Sequence, residues 1–164
     1  MTDRVSLVEV EVRPTAVVCA TTTWQQFPMV WGPLLGEVWD CLRAAGITGG
    51  CRNVMLYRDD VLHRDVLHGD VRHRDHVPSV DVEVGVLLGQ PCPLAGRVVA
   101  SSLPAGTAAT AVHRGSFAGV GAAHDAVRQW CRDRGSRPTG TRWELYGPHH
   151  DDPAQQWTEV YWLL

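Results

Sequence analysis

The chain has 164 residues, which is enough for one domain of ordinary size with a real hydrophobic core. Hydrophobic residues make up 45% and charged residues 20%, and these proportions exclude a disordered or a fibrous protein. The formal net charge of −3 provides no positive field for a phosphate backbone, so we do not expect nucleic acid as a partner.

The sequence contains no membrane or secretion signal of the usual kind. No run of about 18 apolar residues could span a bilayer, and the first residues lack the apolar core of a signal peptide. We therefore expect a cytoplasmic protein that does not enter the membrane. The five cysteines are an odd number without a CxxC pair, so neither a disulfide framework nor a zinc site is predicted, and no cofactor is expected.

The first half of the chain predicts four strands and one helix. The strand patterns, alternating or continuously apolar, lie at 5–12, 16–22, 51–57 and 80–88. We expect the first two strands to form a hairpin. Apolar residues at helical spacing predict a helix over 27–45, whose regular part should be confined to the later turns by Pro28 and Pro33.

Between these strands, residues 61–75 repeat a five-residue motif three times, with His63, His68 and His73 in register. A period of five matches neither a helix nor a strand, so the three histidines would not share one face. A solvated surface loop is the prediction. The alternative is a metal site built from imidazole and carboxylate groups, but nothing in the pattern makes such ligands converge, so no metal is expected.

The second half repeats the order of the first. Strand patterns lie at 97–103, 107–113, 141–146 and 157–164, and a helix begins at Phe117 and ends at Gly135. Three residue pairs match at one constant offset between the two helical regions, namely Phe27 and Phe117, Val30 and Val120, and Cys41 and Cys131. We infer a weak internal repeat.

The repeat predicts an α+β fold in a single domain, 1–164. Two strand-helix-strand-strand modules, about 5–90 and about 95–164, would be related by a pseudo-twofold axis. Their strands would form an antiparallel sheet with the helices on one side. A groove along the seam between the modules is where a ligand would bind.

The seven tryptophans are many for this length, beside only two phenylalanines and three tyrosines. They either fill the core or wall an aromatic pocket. Trp39 and Trp130 lie in the apolar stripes of the helices, which favours core packing. Trp24 and Trp31 flank the start of the first helix and would rim the seam, and so would Trp143 and Trp157 on the last two strands.

Two glutamates lie in the apolar patterns of the last strands. Alternation places Glu144 and Tyr146 on one face of a strand, with Trp143 and Leu145 on the other. On a solvent face, Glu144 would be an ordinary surface carboxylate. In the groove, it would be desolvated and would either attract an organic cation or act as a general base for water, with a tyrosine hydroxyl as donor. Glu159, which shares a face with two aromatic residues, poses the same question.

Two motifs stand out in the last third of the chain, the Arg-Pro-x-Gly-x-x-x-Glu-x-Tyr stretch at 137–146 and the Trp-Thr-Glu-Val-Tyr sequence at 157–161. Both resemble motifs of the GyrI-like domain, which also occurs as the effector domain of multidrug-sensing transcription activators. The resemblance implies that Glu144 lies at the floor of a pocket for lipophilic cations, surrounded by aromatic side chains. It also implies that Glu159 matches the acidic residue of the family's final strand.

The chain departs from the family pattern in three respects. It has no helix-turn-helix region, it carries the insertion at 61–75, and its aromatic residues favour Trp over Tyr. The first departure argues against a DNA-binding regulator and for a stand-alone domain that sequesters or transforms its ligand.

The resemblance implies binding of aromatic, lipophilic and often cationic small molecules, giving multidrug binding or protective sequestration. The alternative is a hydrolase that adds water to the cyclopropane of cyclopropanoid DNA-alkylating natural products, with Glu144 and Tyr146 as catalytic residues. A third hypothesis is a protein partner, gyrase, bound through acidic patches such as Asp59-Asp60 and Asp151-Asp152. The candidate ligand-binding residues are Glu144, Tyr146, Trp24, Trp31, Trp39, Trp143, Trp157, Glu159 and Tyr161.

Overall fold

The computed structural model describes residues 1–59 and 78–164. The histidine repeat at 61–75, with its loop and metal alternatives, therefore lies outside the described residues.

The described chain contains eight strands and two α-helices. In the first half these are β1 (Ser6–Val10), β2 (Arg13–Thr22), α1 (Phe27–Ala44), β3 (Asn53–Asp59) and β4 (Val80–Leu87). The second half contains β5 (Val99–Leu103), β6 (Gly106–Arg114), α2 (Val120–Asp133), β7 (Thr141–Tyr146) and β8 (Trp157–Leu163). One short 3₁₀ turn, Phe117–Gly119, leads into α2, and another, Pro153–Gln155, precedes β8. The predicted order of elements agrees with this arrangement.

All eight strands join one antiparallel sheet in the order β1-β6-β8-β7-β3-β4-β2-β5. From one edge inward the strands are β1, β6, β8 and β7, and from the other edge they are the corresponding strands β5, β2, β4 and β3. The pseudo-twofold axis therefore passes between β3 and β7. The sheet curls into a half-barrel and carries both helices on one side. The predicted α+β fold is thus confirmed.

The predicted hairpin between the first two strands is wrong. β1 pairs with β6, and β5 pairs with β2, so each module gives its leading strand to the sheet half of the other module. Two-residue hairpins need turn residues that favour a positive φ. The short links after β1 and β5, Glu11-Val12 and Pro104-Ala105, lack such residues. The chain therefore continues into the opposite half instead of folding back.

The regular part of α1 begins earlier than predicted. The helix is continuous from Phe27 and contains Pro33 in its interior. Pro28 lies in the first turn, where a missing N–H costs nothing. Pro33 is exposed on the outer side, and Met29, whose carbonyl loses its usual donor there, is also exposed to water. Burial of the inner stripe against the sheet holds the helix together despite the proline.

Apolar side chains cover both faces of the sheet. On the helix face they form two separate clusters, one with Val38 of α1 and the other with Val127 of α2, both fully buried. On the other face, Leu56, Trp143 and Leu145 pack inside the curl together with side chains from both edge strands. Because two separate clusters support the helices, the helix face keeps a seam between them.

Neither α-helix in residues 1–59 and 78–164 combines the length and the apolar character needed to cross a membrane. No group of three or more His, Cys, Asp or Glu side chains in the described ranges is arranged to hold a metal ion. All five cysteines lie within those ranges and are free thiols.

Candidate functional site

Glu144 lies at the centre of the sheet, where the two modules meet. It is on β7, directly opposite Met55 of β3 on one side and Val160 of β8 on the other. Residues opposite one another in antiparallel strands point to the same face. Met55 and Val160 pack against the helices, so Glu144 faces the seam between α1 and α2. Its side chain is buried, with only 6% of the residue exposed.

Three donors hold the buried carboxylate. The Tyr57 hydroxyl donates to Glu144 Oε2 at 2.9 Å, and the Tyr146 hydroxyl donates to the same oxygen. The ring nitrogen Nε2 of His124 lies 2.7 Å from Oε1. The indole N–H of Trp162, which can only donate, is directed at Nδ1 of His124 at 2.9 Å. Nδ1 is therefore unprotonated, and His124 is a neutral imidazole that donates from Nε2.

Both tyrosines are kept in their protonated form by this environment. Burial, and next the charge of Glu144, raise the pKa of Tyr57 and of Tyr146 well above the usual range. Each phenol therefore remains a hydrogen-bond donor at neutral pH. The hydrogen-bond donors that the described chain directs at this carboxylate are therefore the two phenols and the imidazole.

The surroundings of Glu144 repeat the pseudo-twofold symmetry of the fold. Phe27 packs edge-on against Tyr57, with ring centroids 5.4 Å apart, and Phe117 packs edge-on against Tyr146 at 5.3 Å. Both tyrosine hydroxyls also approach Met55 Sδ at 3.6 Å. The acid has no symmetric counterpart, because Met55 stands opposite it on β3.

A cavity of about 570 Å³ opens beside this cluster on the helix face. Its apolar lining includes Phe27, Trp31, Met55, Phe117 and Tyr146. Trp31 remains 40% exposed, so a large aromatic surface faces the opening without a covering partner in the described chain. Met55 and Tyr146 belong both to the cavity wall and to the Glu144 cluster. The cavity and the buried acid therefore form one site.

Among the predicted aromatic residues, Trp24 and Trp31 lie on the helix face near Glu144. The Trp24 ring packs on Tyr57 with centroids 5.1 Å apart and is 45% exposed. Trp39 is on the same side but packs against the core under α1, and its indole N–H donates to Asn53 Oδ1 at 2.9 Å. Asn53 lines the cavity, so Trp39 reaches it only through Asn53.

The remaining predicted residues, Trp143, Trp157, Glu159 and Tyr161, lie on the opposite face of the sheet. Trp143 is 2% exposed and stacks on Tyr161, with centroids 5.2 Å apart. Glu159 forms an ion pair with Arg52 Nη2 at 2.8 Å. The expectation that Trp143 and Trp157 would rim the seam is therefore wrong. The register opposes Leu145 to Glu159, which points these side chains away from the helices.

Tyr57 and His124 are two site residues that the sequence patterns do not predict. Tyr57 ends a run of four buried residues in the middle of β3, and its polar hydroxyl in an otherwise apolar run is the available signal. His124 lies on α2 beside the buried stripe of Ala123 and Val127. A polar ring at the border of an apolar stripe is too common to indicate a site by itself.

Solved structures that resemble the whole chain include the following three. The C-terminal domain of EcmrR is 19% identical, with 98% of this chain and 96% of that domain covered and a TM-score of 0.63. SAV2435 bound to tetraphenylphosphonium is 11% identical, with 98% and 93% covered and a TM-score of 0.67. A hydrolase from Listeria innocua is 11% identical, with 97% and 90% covered and a TM-score of 0.54.

These likenesses define the class of fold. The chain shares its fold with these structures, and that fold is GyrI-like. In the DNA complex of EcmrR, this chain matches 56% of the length of the EcmrR chain. No family profile matches the sequence. No curated protein matches it either.

Proposed function

We propose that the protein binds flat, aromatic, lipophilic cations in the seam between its two modules, giving drug binding or protective sequestration. The observation that carries this proposal is the buried carboxylate of Glu144, whose hydrogen-bond partners in the described chain are all neutral. A buried carboxylate without an ion pair to a fixed cation is unfavourable, and Arg142, two residues away on the same strand, is itself paired with Asp59. A cation in the neighbouring cavity would supply the opposite charge.

The cavity suits such a ligand in size and in chemistry. Its volume of about 570 Å³ lies within the range of small-molecule sites, roughly 300 to 1,000 Å³. Phe27, Trp31 and Phe117 present aromatic rings to it. Aromatic faces attract organic cations by cation–π interaction and stack on flat ligands. The solved complex of SAV2435, which shares the fold, contains the aromatic cation tetraphenylphosphonium and supports this ligand class.

Tyr146 connects the cavity with the charge. Its ring forms part of the cavity wall, and its hydroxyl donates to Glu144. A cation held against that ring would interact with the carboxylate through protein instead of bulk water. Coulomb attraction is several times stronger there than in water. Charge recognition at this site therefore needs no direct contact between Glu144 and the ligand.

The proposal is tested with two ligands of equal shape. One is naphthylmethyl-trimethylammonium, and the other is its neutral isostere, in which carbon replaces the quaternary nitrogen. We expect Glu144→Gln to lower the affinity for the cation by about tenfold or more, and the affinity for the neutral isostere much less, because the substitution changes only the charge. Binding is followed by tryptophan fluorescence or by calorimetry.

Glu159→Gln is the matched control. It removes the same charge from the neighbouring strand, but on the opposite face of the sheet. We expect it to leave the affinity for both ligands unchanged. Equal losses for the cation and the neutral compound in Glu144→Gln would refute charge recognition, and so would equal losses in both variants.

Hydrolysis of a cyclopropane-containing compound is the second candidate function. The contact between the Glu144 carboxylate and the Tyr146 hydroxyl favours it, since it joins a general base to a polarising donor. The expected product is the starting compound plus one water, detected by mass spectrometry, and it should be absent with Glu144→Gln. Unchanged compound after long incubation with the unsubstituted protein would exclude the reaction for that substrate.

A further inference from the structure

A second cavity, of about 430 Å³, opens on the helix face at the other end of β7. It is separated from the first cavity by the Glu144 cluster, because Arg142 lines it two residues before Glu144 and Tyr146 lines the first cavity two residues after. Its charged and aromatic lining consists of Trp24, Asp59, Arg128, Arg132, Arg142 and Trp162.

The charge of this lining is positive over the described residues. Three guanidinium groups face one carboxylate, Asp59, which pairs with Arg142 through two hydrogen bonds. Arg128 pairs with Asp125, whose side chain is 71% exposed and does not line the cavity. Arg132 donates only to a neutral amide oxygen in the placed part of the chain. Two of the three arginines can therefore offer N–H groups to a ligand.

Aromatic rings pack against two of the three arginines, Arg128 and Arg142. The guanidinium carbon of Arg142 lies 5.2 Å from the ring centroid of Trp162 and 5.1 Å from that of Trp24. The guanidinium of Arg128 lies 5.6 Å from the Trp162 ring. Guanidinium groups stack on indole rings and lose freedom when they do so. Like charges gathered around one ring favour a bound anion.

We propose that this second cavity binds a small aromatic carboxylate. The carboxylate would accept hydrogen bonds from Arg128 and Arg132, whose planar forks match its geometry. The aromatic part would lie against the exposed ring of Trp24. The two ends of the seam would then select ligands of opposite charge, a cation beside Tyr146 and an anion beside Arg132.

The test compares 2-naphthoate with 2-naphthylmethanol, which has the same ring and no charge. We expect naphthoate to bind the unsubstituted protein more tightly and to weaken with added salt. The double variant Arg128→Gln/Arg132→Gln should lose about tenfold or more in affinity for naphthoate and little for the alcohol. The Arg128 side chain is 50% exposed and Arg132 is also exposed, so we expect the variant to fold.

Arg134→Gln is the matched control, since Arg134 lies just after Arg132 and packs over Trp130, outside the cavity. It should leave naphthoate binding unchanged. Equal affinity for the two naphthalenes would overturn the proposal. So would a loss of naphthoate affinity in Arg134→Gln as large as that in the double variant. Glu144→Gln should not weaken naphthoate, because it acts on the other cavity. A negative result for naphthoate would therefore not contradict cation binding beside Tyr146. A negative result for the cation would likewise not contradict naphthoate binding.

Discussion

The two halves of the seam share an aromatic frame, and they differ at the position that carries the acid. The first half contributes Phe27, Tyr57 and Met55, and the second half contributes Phe117, Tyr146 and Glu144. The ring geometries nearly coincide, at 77° and 79° between planes. A duplicated scaffold thus surrounds a single acid with two sets of aromatic walls. One position gives the site its charge, while the symmetric frame gives it its shape.

The strongest way to break this comparison is to place an acid in both halves. Met55→Glu would oppose a second buried carboxylate to Glu144, and we expect the free energy of unfolding at neutral pH to fall by about 3 kcal/mol or more. The loss should shrink as the pH is lowered, because one protonated carboxyl removes the repulsion. Urea denaturation at several pH values measures both effects.

Two controls separate charge from shape. Met55→Gln changes the same position without a charge and should cost clearly less than Met55→Glu. Met29→Glu adds the same charge at an exposed helix position, 82% open to solvent, and should cost almost nothing. If Met55→Gln were as destabilising as Met55→Glu, charge would not distinguish the two halves.

A smaller change compares the two tyrosines directly. Tyr57→Phe removes a hydrogen bond to a buried carboxylate and should lower the free energy of unfolding by about 1.5 to 3 kcal/mol. Tyr146→Phe should cost less, because Tyr146 borders the cavity and water can replace its hydroxyl. Urea midpoints of the two variants decide the order. A larger loss of unfolding free energy in Tyr146→Phe would contradict this order and would show that the tyrosine beside the cavity contributes more to stability.

The smallest expected effect is a change of stability at alkaline pH. The pKa of both hydroxyls is raised in the folded state, so the unfolded chain loses these protons first. The free energy of unfolding contributed by these groups is fully present below about pH 10 and is lost as the pH rises further. Denaturation series below and above that pH should show a shallower decline in Tyr57→Phe/Tyr146→Phe. An unchanged slope would contradict the raised pKa.

The sequence predicted the elements of the fold but not their pairing. Alternation in β7 and helical spacing in α2 are local patterns, and their bounds agree closely with the structure. The exchange of β1 and β5 is a long-range choice that local patterns do not encode. Pro33 does not delay the regular part of α1 as predicted, because burial of the helix against the sheet outweighs one lost hydrogen bond.

The site was predictable only along one strand. Alternation placed Glu144 and Tyr146 together and opposite to Trp143, which is what the structure contains. It could not decide which face of the sheet carries the helices, and so the role of Glu159 stayed open. Tyr57 reaches Glu144 across 87 positions of the chain, a contact that requires the β3 and β7 register.

The exchanged edge strands have a consequence for how the protein can be divided. Cleavage between β4 and β5 would separate two sequences of similar layout, yet each fragment would keep a strand whose place is in the other's half of the sheet. Neither fragment could complete the edge of its own half of the sheet. The two modules therefore depend on each other and should unfold in one cooperative step. One such unit alone would need a second copy to complete the edge of its sheet.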